Sequence, residues 1–140
     1  MAPDLLSDSS RILAGILVIA LVTVETGGLY MVRVVTGRAG EVTPFQVSFS
    51  RAGHAHAGVL LILALLCILL AEATDLAGFW FWLARSGVAI AALLMPAGFF
   101  FSSMGAGRDR PNGLIWLVYA GGTVLAISLL VLGAGLLTAG

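Results

Sequence analysis

Long apolar runs separated by short polar connections organise this chain. The first runs from about Ile12 to Val35 and the second from about His54 to Ala73. The third runs from about Phe79 to Gly105 and the fourth from about Gly113 to Thr138. Each reaches or approaches the ~20 residues that a helix needs to cross ~30 Å of hydrocarbon at 1.5 Å per residue. Lipid cannot satisfy open backbone groups, so helices or a closed barrel are the available forms. The runs do not alternate apolar and polar positions, which excludes a barrel. The pattern predicts an all-α membrane protein: four transmembrane helices forming a single domain over residues 1–140.

Two connections are short. Thr74 to Gly78 joins the second and third helices, and Arg108 to Asn112 joins the third and fourth, with Pro111 and Asn112-Gly113 as turn chemistry. Short links make successive helices antiparallel, so an up-down-up-down bundle is expected. The first connection, residues 36–53, is longer. Its middle, EVTPFQVSFS, puts Phe45, Val47 and Phe49 on alternate positions. An extended chain there would show one apolar edge, lying on the membrane surface or folding as a lid over the second helix.

Composition agrees. Hydrophobic residues make up 60% of the 140 and charged residues 10%, with a mean hydropathy of +1.09. A soluble domain carries about 25% charged residues, so a water-soluble monomer is excluded. Seven basic residues, all arginine, balance seven acids. No basic face exists for nucleic acid. The single cysteine, Cys67, excludes an intrachain disulfide. No basic region precedes the first apolar run and no A-x-A pattern ends it, so no secretory signal peptide is expected.

Arginine placement predicts orientation. Arg33, Arg38, Arg51, Arg108 and Arg110 lie on one side; Arg11 and Arg85 lie on the other with Asp4, Asp8, Glu72 and Asp75. This places connections one and three in the cytoplasm and both termini outside, in an inner or plasma membrane. Phe79 to Trp82 then form an outer aromatic belt, and Trp116 and Tyr119 an inner one.

The densest chemical signal is Arg51-Ala-Gly-His-Ala-His-Ala-Gly58, which holds both histidines, His54 and His56. Small neighbours let a backbone or a flat cofactor approach, and histidine is a common metal ligand. On a regular helix the two rings stand ~200° apart and cannot chelate one ion. In an extended segment they share a side and form a clamp. A haem held between histidines on two helices of one protomer is excluded; a single histidine, a His–Met pair or a subunit interface is required.

Glu25, deep in the first run, is the second signal, since an intramembrane carboxylate marks function by default. Gly27 and Gly28 follow it and could loosen the helix. If the first two helices end level with each other, Glu25 and His56 differ by ~10 Å in depth. An earlier helix end near Arg33, or a break at the glycines, would bring them together. In the third run Pro96 is expected to kink the helix, and Met104 or Met31 is a candidate soft ligand. Phe99, Phe100 and Phe101 cannot share a face. Gly87/Ala91, Gly98/Ser102 and Gly122/Ala126 are small-xxx-small pairs that permit close packing or a homo-oligomer. Arg85 reads as structural, snorkelling or pairing with Glu72 or Asp75. Walker, G-x-S-x-G, H-E-x-x-H and C-x-x-C motifs are absent.

At Arg51 to Gly58 and at Leu94-Met-Pro-Ala-Gly-Phe-Phe-Phe-Ser-Ser-Met104, the chain resembles small four-helix bacterial membrane proteins usually described only as integral membrane proteins. The likeness spans most of the chain and implies the bundle, with no activity attached. Over about eight residues, GHAHAG is also similar to the helix start that carries a haem-ligating histidine in the haem–copper oxidase superfamily. The further histidines of that superfamily are missing, so this likeness implies at most one haem or copper.

Three functions follow. In the first, His54 and His56, aided by Glu25 and Met104, bind haem or a transition metal (copper, zinc or iron) for redox or metal handling. In the second, the chain is an accessory or assembly subunit of a larger membrane complex. In the third, it oligomerises into a proton or cation channel that uses Glu25. A conventional enzyme acting on soluble substrates is not expected.

Overall fold

The computed structural model describes residues 5–40 and 42–140. Asp4 and Glu41 lie outside the described residues. Helices α1 (Asp8–Val35), α2 (Pro44–Ala71), α3 (Gly78–Ser103) and α4 (Trp116–Thr138) follow in order, with one 3-10 turn at Gly113–Ile115. Each helix is long and apolar enough to cross a membrane, the fourth counted together with that turn. Among the described residues there is no strand.

The bundle is uneven. Helix α3 packs extensively on both α2 and α4, while α1 rests mainly on α2. The core is built from small and branched side chains: Leu60, Ala64 and Ile68 of α2, Ala84 and Val88 of α3, and Leu132 of α4. Close backbone approach makes this possible. A Cβ on Gly87 would overlap Ser128 on α4, and one on Gly121 would come within 2.6 Å of Met95 on α3. On α4 the glycine in contact with α3 is therefore Gly121, and Gly135 packs on Leu76; Gly122, the expected member of a small pair, meets nothing within 4 Å. Most of α1 is exposed, with Ile12, Ile19, Val22 and Leu29 among its outward residues, as befits a helix bathed in lipid.

Helix α2 begins ten residues before the expected position. Thr43 caps it by accepting from the Gln46 amide, Gln46 answers on the Thr43 amide, and Pro44 occupies the first turn. This is a capping box with proline where its missing N–H costs nothing. The expected extended or lid-like connection over 36–53 is thus replaced by a short link and a longer helix. Phe45 and Phe49 stand one turn apart with ring centroids 4.3 Å apart, and Phe49 meets Phe99 edge-on at 5.5 Å. Gln46 also donates to the Ser103 and Gly105 carbonyls at 2.9 and 2.7 Å, and Thr43 donates to the Arg108 carbonyl at 2.5 Å. These bonds latch the start of α2 onto the end of α3.

At the opposite end, the amide and hydroxyl of Ser7 donate to Glu72 at 3.2 and 2.7 Å. Arg85 donates to Ser9 and lies 5.5 Å over the Phe81 ring. Arg85 therefore ties α3 to the start of α1. Among the described residues it forms no ion pair with Glu72 or Asp75 within 4.0 Å; the only such pair joins Arg11 and Asp8. The Ser10 and Ser7 hydroxyls, the Ser7 amide and the Arg85 charge hold the Glu72 carboxyl below its ordinary range. Phe79, Trp80 and Trp82 face outward as a belt residue should, whereas Phe81 turns in beneath Arg85.

Candidate functional site

The lengthened α2 decides the histidine geometry. Residues 53–56 lie inside a regular helix, so the two rings diverge and the single-chain clamp is withdrawn. His56 turns toward α3: Nδ1 bonds the Ala52 carbonyl at 2.7 Å and the ring packs on Phe99 with centroids 5.0 Å apart. An Nδ1–H committed to a carbonyl one turn back fixes the ring orientation.

His54 turns toward α1. A Cβ on Gly27 would stand 3.0 Å from its Nδ1, and one on Gly28 would stand 3.7 Å from its Nε2. The imidazole occupies a notch that only small residues leave. Helix α1 runs unbroken through both glycines. No hydrogen bond to the His54 ring is present among the described residues.

One side of His54 opens on a furrow between α1 and α3, floored by α2. The middle section, about 230 Å³, is lined by Thr23, Gly27, His54, Ala57, Pro96 and Phe100 among others. Toward the arginine-rich end, on the other side of the Phe100 ring that packs on Gly53, lies a section of about 390 Å³ lined also by Tyr30, Gln46, Ser50 and Ser103. Toward the other end the middle section meets one of about 360 Å³ that shares Ala20, Leu61 and Leu93 and is otherwise almost wholly apolar. Polarity therefore falls along the furrow, and His54 sits where it changes. Pro96 adds one feature. It removes the donor for the Ala92 carbonyl four residues back, and both residues line the middle section. The helix continues through Pro96 to Ser103.

Met104 caps α3 and lines the mouth, apart from the section that holds His54. Its carbonyl accepts from Arg108 at 2.9 Å, which sets that guanidinium beside Gly105. Glu25 is exposed on α1. The glycines against His54 lie two and three residues beyond it, so the two side chains differ by only ~3–4.5 Å in depth. The ~10 Å offset expected between Glu25 and His56 likewise shrinks to a few ångströms because α2 starts earlier. Glu25 and His54 still do not meet: Glu25 stands ~160° around α1 from Thr23 and Gly27, the residues that wall the furrow. Cys67 is buried in the core. Among the described residues, no three His, Cys, Asp or Glu side chains converge as a metal site.

Sequence reasoning missed Ser50, Gln46 and Thr23 as furrow residues. For Ser50 and Gln46 the signal was helical spacing with His54 once α2 is extended back to Pro44; for Thr23 it was a position one turn before Gly27 on α1. Comparison of the chain with protein-family models, curated proteins and solved structures finds no match.

Proposed function

We propose that this chain is a membrane-embedded transition-metal-binding protein in which His54 is the primary ligand. The carrying observation is an imidazole that makes no hydrogen bond among the described residues, set where the lining between α1 and α3 turns from polar to apolar. Imidazole suits zinc, copper and iron, and only the Phe100 ring separates the His54 section from the polar mouth. His56, engaged by its own helix and by Phe99, has a structural role. With the arginine-rich end cytoplasmic, the site loads from the cytoplasm.

The test is metal content per chain, with the visible spectrum, after purification in mild detergent without an affinity metal. The reading expects a near-stoichiometric metal that is lost in His54→Ala and kept in His56→Ala. A metal-free protein, or retention in His54→Ala, overturns it. One observation favours a second reading. The guanidinium of Arg108, held beside Gly105 at the arginine-rich end, would pair with carboxylates, so haem ligated by His54 is the second reading. A Soret band would select haem over the bare ion.

A further inference from the structure

Glu25 presents a physical problem. It is exposed on a membrane-spanning helix and has no ion-pair partner among the described residues. Around it on the same flank stand only apolar side chains, Val18, Val22, Leu29 and Val32, each more than half exposed. Intramembrane carboxylates almost always face a bundle interior or a water-filled cavity. A single copy leaves this one facing lipid.

The furrow presents the converse problem. Its middle section holds an imidazole with no hydrogen bond, and apart from His54 only Thr23 offers a polar side chain there. The Thr23 hydroxyl already donates to the Ala20 carbonyl. One histidine leaves most of an ion's coordination positions to water or to groups from outside the chain.

We infer that α1 of a second copy of this chain packs along the furrow and sets Glu25 of the partner subunit against His54. Three observations choose this occupant. The acid and the base are chemically complementary. They lie within ~3–4.5 Å of the same depth, and copies related by an axis along the bilayer normal keep equal residues at equal depth. Glu25 and the furrow wall formed by Ala20, Thr23 and Gly27 stand on opposite flanks of α1, so each copy has one donor flank and one acceptor furrow. Such a contact is heterologous and repeats around a ring. The Val18, Val22, Leu29 and Val32 stripe would cover the apolar furrow walls as Glu25 meets His54.

This inference rests on the metal-binding reading only for its consequence: the interface adds a carboxylate to the imidazole, which raises the protein donors to two of the kinds zinc takes, with water left to complete the shell. The contact itself stands on geometry.

The test uses the full chain in membranes with Cys67→Ala as background. Val22→Cys on the donor flank and Ala57→Cys in the furrow are made singly and together, then treated with a short bifunctional thiol reagent. The inference expects a ladder of dimers and higher species from the double variant. Each single variant should stay monomeric, and the two single variants expressed together should give dimers. Cross-linking of Val22→Cys alone would mean an α1–α1 two-fold contact and overturns the ring. A monomeric mass by light scattering in mild detergent, with no ladder, also overturns it.

Zinc retention is read in parallel. Glu25→Gln should weaken it about tenfold or more, and the conservative Glu25→Asp should restore part of it. A ladder without zinc binding keeps the contact and rejects the metal reading. Zinc bound through His54 and indifferent to Glu25→Gln rejects this inference and keeps the metal reading. The charge-swapped pair Glu25→His with His54→Glu should recover the assembly that either change alone weakens. Failure of both singles and the swap to alter assembly would show that the pair does not form.

Discussion

The His54 imidazole rests on the bare backbone of Gly27, with room for it only because that residue has no side chain: a Cβ there would lie 3.0 Å from Nδ1. At Gly28 the same addition meets the ring at 3.6 Å, an ordinary contact. Glycine inside a helix costs about 1 kcal/mol relative to alanine. Gly28→Ala should therefore stabilise the protein by about that amount. Gly27→Ala should gain less, because the ring must shift, and should weaken metal retention while Gly28→Ala does not. Thermal unfolding in detergent together with metal content separates the two outcomes.

The α3–α4 seam should be intolerant at Gly87, Gly98 and Gly121, which face the partner helix, and indifferent at Gly122 and Gly133. Gly87→Ala forces a Cβ into Ser128, and overpacking of this kind costs about 1–3 kcal/mol. Ser128→Gly should relieve much of that loss. Gly122→Ala and Gly133→Ala, where nothing lies within 4 Å, should leave stability unchanged or raise it. Equal loss at Gly87, Gly122 and Gly133 would contradict the packing described.

Removing the latch at the start of α2 should loosen that end alone. Thr43→Ala forfeits the cap, worth about 1 kcal/mol. Gln46→Ala removes both carbonyl contacts to the end of α3. Hydrogen exchange should rise in the first turns of α2 and in residues 103–107, with the Leu60–Ile68 region unaffected.

Acid sensitivity should trace to Glu72. The Ser10 and Ser7 hydroxyls, the Ser7 amide and Arg85 favour its charged form in the folded protein, so its folded pKa lies below its unfolded one. Its stabilising contribution is present above the unfolded pKa and fades as pH falls through the folded pKa. Glu72→Gln should lower stability at neutral pH and flatten the acid limb of a melting-temperature profile. An unchanged acid limb would remove Glu72 from this role.

Much of this architecture is legible in the sequence. Four apolar stretches of membrane-spanning length, and arginines gathered at one end, are bulk properties that hydropathy reports directly. The splaying of Phe99, Phe100 and Phe101 follows from helical rotation, and the structure leaves Phe101 exposed while Phe99 and Phe100 pack inward. The start of α2 is hidden because Gln46, Ser48, Ser50 and Arg51 dilute the apolar signal. Thr43-Pro44-Phe45-Gln46 carried the information in its capping chemistry instead. The choice between Gly121 and Gly122 is illegible for another reason. Helix α4 is apolar on every side, so no periodicity reveals which face packs. The same holds for Glu25: its depth can be counted from the sequence, but its flank depends on how α1 is rotated against α2.

Helix α1 is fastened at one end only. Ser7 and Ser9 bind Glu72 and Arg85 there, while among the described residues no hydrogen bond joins its other end to another helix. Its 28 residues make a rod of ~42 Å. Pivoted at the fastened end, such a rod moves its free end about 3.5 Å for a tilt of about 5°. That free end is one bank of the furrow mouth, through Tyr30. Tilting is one way a spanning helix answers a mismatch with the bilayer, and a helix held at one end only can tilt most easily, so a thicker or thinner membrane would shift the Tyr30 bank of the mouth with no ligand and no change in sequence.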